Sequence, residues 1–145
     1  DDKILTKTMI NNYAKNHLLP APDKKKYSKE HLLLLIYIYY YKSILSIGDI
    51  QSLLEPLTQR YFHKDGEMNM QSIYEEVFSL EKEQVEKMKQ DVTEKYETAS
   101  RIFPEAEAED QEFLRIFSFI CLLSFDVYVK KQVIEKLIDE LPKKS

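Results

Sequence analysis

The side chains whose type and spacing could carry chemistry cluster near the start of the chain. Seven lysines (3, 7, 15, 24, 25, 26 and 29) stand against Asp23 alone between Lys3 and Lys29. Ammonium groups at that density suit phosphate, because each neutralised phosphate releases counterions. The whole-chain formal charge of −4 would argue against an anionic partner, but it averages two unlike halves. Residues 1–60 carry nine Lys/Arg and six Asp/Glu, hence +3, which leaves −7 for the remainder. Such an asymmetry is expected where one end meets phosphate and the other does not, and a solvated lysine-rich surface is the plainer alternative.

Other chemistries lack carriers. His17, His31 and His63 lie far apart without zinc-ligand spacing, and Asp65-Gly66-Glu67 departs from a calcium loop. The chain contains no Gly-rich phosphate loop, nucleophile elbow or paired catalytic carboxylates, so a non-enzyme that needs no cofactor is expected. One cysteine, Cys121, within an apolar run excludes an intrachain disulfide and fits a reducing cytoplasm. Apolar stretches at Leu32 to Tyr41 and Ile116 to Phe125 fall short of the ~20 residues that cross a bilayer, so no membrane partner is expected. The chain opens at Asp1 with no leader-like segment, and further residues are expected upstream.

Two glycines in 145 residues and 3.6-residue periodicity predict about five helices with little room for a sheet. The first is expected from about Thr6 to Asn16, capped by Thr6 or Thr8, with Met9, Ile10 and Tyr13 inward. Prolines 20 and 22 enforce an extended segment leading into Lys24, Lys25 and Lys26. Ser28 is the expected cap of a helix apolar nearly all round from Leu32 to Tyr41, the centre of the core. Its tyrosines 37, 39, 40 and 41 read as core plus interface. Ser46 and Asp49 have the spacing of a reciprocal cap for a short helix to Leu54, which Pro56 should end or kink. A polar connection from Phe62 to Glu67 then separates a module over 1–60 from a helical region over 61–145. One long helix is expected over Gln71 to Arg101, with a stripe through Ile73, Val77, Leu80, Gln84, Met88, Val92, Tyr96 and Ala99. Another, from about Gln111 to Leu141, can partner it, and Phe113, Phe117, Phe119, Phe125 and Tyr128 read as core ahead of a small-molecule pocket.

The order of elements resembles the MerR family of winged helix-turn-helix regulators. The counterparts are Tyr13 with Leu18-Leu19-Pro20, then Tyr27-Ser28-Lys29-Glu30-His31-Leu32, then Leu45-Ser46-Ile47-Gly48-Asp49-Ile50-Gln51-Ser52-Leu53-Leu54. The stretch Thr6 to Lys15 also looks like a bacterial family known only as a domain of unknown function. The resemblance covers roughly residues 6–55 and implies a mainly α fold. That fold is a MerR-like winged helix-turn-helix with a short wing and its first helix missing, followed by long helices forming a bundle or a coiled-coil dimer. It departs from the family in a lysine-only wing and in Asn11, where arginine is common.

The resemblance further implies that Lys7, Lys15, Lys24, Lys25 and Lys26 contact phosphates, while Asn11 and Asn12, beside Thr8, approach base edges. Tyr13 and Tyr27 are expected to pack rather than touch DNA. The partners it implies are DNA and a second copy of the chain, with a small-molecule effector as a further candidate. The competing expectation, motivated by the acidic C-terminal part, is a helical protein-interaction or small-molecule-sensing module without DNA binding.

Overall fold

A computed structural model describes residues 5–142, so the expectation that no bracing helix precedes Ile4 lies outside the described residues. Six helices follow in order: α1 (Lys7–Lys15), α2 (Lys29–Tyr41), α3 (Ile47–Tyr61), α4 (Met70–Ser79), α5 (Glu81–Ser100) and α6 (Ala108–Asp139). The mainly helical architecture is the expected one. Among the described residues, no helix is long and apolar enough to cross a membrane.

Helix starts follow from polar side chains that satisfy orphan amides. Thr6 Oγ1 accepts the Met9 amide at 3.1 Å, and Ser46 Oγ accepts that of Asp49 at 3.1 Å. Asn69 and Ser72 exchange two 2.9 Å bonds at the start of α4. Two boundaries differ from expectation. Helix α3 runs through Pro56 to Tyr61, because the missing proline donor orphans only the carbonyl of solvent-exposed Ser52 while Leu57 and Tyr61 pack on the core. The single helix expected over 71–101 is interrupted at Leu80, which carries no side-chain cap.

The chain divides into two compact units. One comprises the chain up to Phe78 together with the segment from Ile134 onward. Its core is centred on α2, whose Leu33, Leu34, Leu35, Tyr37 and Ile38 are buried with Leu18, Leu19, Leu45, Ile50, Leu54, Met70 and Ile138. Tyr37 lies edge-on to Tyr74 and parallel to Tyr41, and burial pushes both the Tyr37 and Tyr41 hydroxyls above their usual range. Tyr39 and Tyr40 are exposed.

The other unit, Ser79–Val133, pairs α5 with the greater part of α6. The Tyr96 ring meets Phe119 edge-on at 5.5 Å. The Lys95 ammonium, bonded to Asp91 and 4.0 Å from Asp126, is raised above the usual lysine range, first by the Asp91 hydrogen bond. Here one expectation is corrected: of the α6 aromatics read as core, Phe113, Phe117, Phe125 and Tyr128 are exposed, while Phe119 is half-buried against Tyr96 of α5. Apolar side chains are spread around α6, and those away from the side that meets Tyr96 stay exposed within the chain.

Candidate functional site

Helix α1 is amphipathic over its nine residues. At 3.6 residues per turn, Lys7, Thr8, Asn11, Asn12 and Lys15 fall within an arc of about 140°. All five are exposed, while Met9, Ile10, Tyr13 and Ala14 are half-buried on the opposite side. Tyr13 packs on the core, as read from the sequence.

The end of α1 sets where the chain goes next. The Leu18 and His17 amides donate to the carbonyls of Tyr13 (2.9 Å) and Ala14 (3.2 Å), closing a Schellman motif with His17 at φ 62° in the position that glycine usually takes. Leu18 and Leu19 are then driven into the core. The Gln51 side-chain amide reaches from α3 to donate to the Asn16 carbonyl, tying the helix end down.

Beyond Pro20-Ala21-Pro22 the chain reverses. Lys26 N–H donates to the Asp23 carbonyl at 2.8 Å, and the two residues form an isolated antiparallel bridge. Between them Lys24 and Lys25 hold φ of 49° and 67°. Two successive positive values in a two-residue connection are the mark of a type I′ reversal, which favours Asn-Gly. A side chain in this region costs roughly 1–2 kcal/mol per residue, so the surroundings must hold the turn in place.

Two histidines do so. His31 is fully buried. Its Nδ1 accepts the Ser28 amide at 3.0 Å and therefore carries no proton, so Nε2–H donates to the carbonyls of Pro20 (3.1 Å) and Ala21 (3.2 Å). Ser28 Oγ donates to Nδ1 at 2.8 Å while accepting the His31 amide at 3.4 Å. The neutral imidazole thus occupies the position that Glu or Gln takes in an ordinary capping box, and its far side pins the chain leading into the turn. Tyr27, half-exposed, sets its ring edge-on to His31 at 5.2 Å.

His63 grips the other flank. Glu30 accepts twice, from the His63 backbone amide at 2.8 Å and from Nδ1 at 3.0 Å, while Nε2 lies 3.3 Å from Asp23 Oδ2. Both ring nitrogens face carboxylates, and only the imidazolium can donate to both. His63 itself stands at φ 56°, another backbone position held by its neighbours. Phe62 fills the space beside the two imidazoles, its ring 4.9 Å from His31 and 4.0 Å from His63.

Lys24, Lys25 and Lys26 are all exposed at this clasped turn. The eight residues singled out from the sequence therefore form two groups, one on an α1 face and one on the turn, and all eight reach solvent. Sequence reasoning treats the histidines as failed metal ligands and misses their role as clasps. The available signal is a serine N-cap with histidine three residues on. Among the described residues, no group of three His, Cys, Asp or Glu is arranged to hold a metal. A cleft of about 720 Å³ opens beside the site, lined by Ala14, His17, Leu19, Pro20, Gln51 and Glu55 among others.

A family model described as "Domain of unknown function (DUF1836)" matches residues 1–77, just over half of the 145-residue chain. No curated protein and no solved structure matches.

Proposed function

The chain belongs to the DUF1836 family, and we propose that it is a DNA-binding transcriptional regulator of MerR-like type, acting as a dimer in the bacterial cytoplasm. The observation that carries this reading is the clasped lysine turn. Three adjacent ammonium groups are displayed on a strained reversal, and two histidines on α2 and after α3 hold it by its flanks. Such investment in the backbone suits a wing that must meet phosphates in a fixed register. The α1 arc supplies the second requirement. Asn11 and Asn12 lie between Lys7 and Lys15 on an exposed helix face, where an amide can read adenine while ammonium groups grip the backbone.

Anisotropy titrations of a labelled duplex with the full-length protein, at several salt concentrations, test the reading. Lys24→Ala, Lys25→Ala and Lys26→Ala should each flatten the dependence of log K on log salt by roughly 0.9 for every phosphate no longer neutralised. Binding that is absent at low salt, or unchanged in the triple variant, overturns it. The second reading, a sensing module without DNA binding, is favoured by the cleft between the Leu18-Leu19-Pro20 segment and α3, which has polar groups at its wall. Flat DNA titrations together with a small molecule protecting Gln51 and Glu55 from exchange would select it.

A further inference from the structure

The outer face of α6, opposite Phe119 and Asp126, carries Phe113, Phe117, Ile120, Ser124, Val127 and Lys131 at alternating steps of four and three residues. That is the spacing of a coiled-coil seam. Phe113, Ile116, Phe117, Ile120, Val127 and Tyr128 on this side are half to two-thirds exposed. They leave on the order of 600 Å² of apolar surface per copy, close to the ~800 Å² per partner of a stable interface.

We propose that this face is closed by the same face of a second copy, running antiparallel about a two-fold axis beside Ile120 and Cys121. The inference locates the dimer contact of the preceding reading on α6 and stands independently of DNA binding. Shape argues for the direction. The N-terminal half of the seam is bulky, with Phe113 and Phe117, whereas the C-terminal half is hollowed by a shallow apolar groove of about 400 Å³ lined by Ile120, Leu123, Ser124, Val127, Tyr128 and Lys131. Antiparallel pairing sets Phe117 opposite the partner's Ser124 and Phe113 opposite the partner's Tyr128, so each ridge enters the other's groove. A parallel pair would oppose ridge to ridge and groove to groove.

Charge argues the same way. The start of α6 is acidic, with Glu109, Asp110 and Glu112, and Lys130 and Lys131 lie about twenty residues on, near the far end of the seam. The register that matches the rings also sets Asp110 opposite the partner's Lys131, twice per dimer because a two-fold interface repeats every contact. Parallel copies would stack like charges at both ends.

Sedimentation of the full-length protein without DNA tests the proposal. A dimer is expected at about 10 μM, and Ile120→Glu, placing two carboxylates at the axis, should weaken association at least about a hundredfold. Asp110→Lys and Lys131→Asp should each weaken it about three- to tenfold, and the double variant should restore it. In a Cys121→Ser background, D110C mixed with K131C should cross-link as a heterodimer, whereas either variant alone should not. A monomer at about 100 μM overturns the proposal, as does cross-linking of D110C to itself. Should Ile120→Glu lose helix content, the charge-reversal pair decides, and failure of the double variant to restore association counts against the antiparallel face.

Discussion

The two units solve the problem of burying apolar residues in opposite ways. In the unit built on α2, twelve apolar residues among those described are buried and a fully buried histidine is satisfied on both ring nitrogens. In the unit built on α5 and α6, Ala99 is the one buried residue among those described, and large side chains such as Phe113, Phe117 and Tyr128 face solvent. The first unit can account for its own stability from its own packing. The second leaves a contiguous apolar surface exposed, of a size that suits an interaction site and that the proposed pairing of two copies would cover. The two proposals fall on different sides of this contrast: the well-buried unit carries the clasped lysine turn, and the exposed apolar face lies on the other.

The sharpest way to break this comparison is to delete matched apolar groups from each unit. Leu34→Ala, at a fully buried position, should cost about 2–5 kcal/mol in denaturant unfolding. Phe117→Ala, at a half-exposed position, should cost under about 1 kcal/mol in a monomeric sample, because little of its ring is removed from water within one chain. Equal costs would mean that the α5–α6 unit buries more of its own surface than the structure shows, and the contrast would fail.

A smaller effect probes how the first unit turns stability into a display of charge. His31→Ala removes the acceptor for the Ser28 amide and the donor for Pro20 and Ala21, and should cost about 1–3 kcal/mol. His31→Gln keeps the reciprocal cap but cannot reach the Pro20 carbonyl, so it should recover part of that stability while leaving the turn loosened. Amide exchange at Lys26, whose N–H bonds to Asp23, reads the difference. Exchange at Lys26 as slow in His31→Gln as in the parent would show that the turn does not depend on the histidine.

Much of this first unit is legible in the sequence because its determinants are local. Thr6, Ser28 and Ser46 cap the helices that the pattern assigns to them, and the apolar run after Leu32 is the core centre expected of it. What escapes depends on residues distant in sequence. His63 reaches Glu30 and Asp23 across more than thirty positions, and no spacing rule links them. Pro56 misleads for a related reason: its intrinsic cost is fixed, but whether a helix survives it depends on what Leu57 and Tyr61 gain in the core. On α6 the apolar periodicity is visible, yet periodicity cannot say which apolar side chains meet their own chain.

The smallest expected effect is also the most discriminating, because it moves stability and binding in opposite directions. Lys24 and Lys25 occupy backbone positions that Asn-Gly would hold with less strain, at φ of 49° and 67°. Replacing them, Lys24→Asn with Lys25→Gly, should raise stability by about 0.5–1 kcal/mol, since the left-handed conformations no longer crowd a β-carbon. The same change removes two of the three ammonium groups from the turn, so the salt slope of DNA binding should fall by up to about 1.8 if both contact phosphate. If the lysines were present only as solvated surface, the more stable variant would bind as before. Weakened binding by a stabilised protein leaves contact chemistry as the reason that lysine stands where glycine fits better.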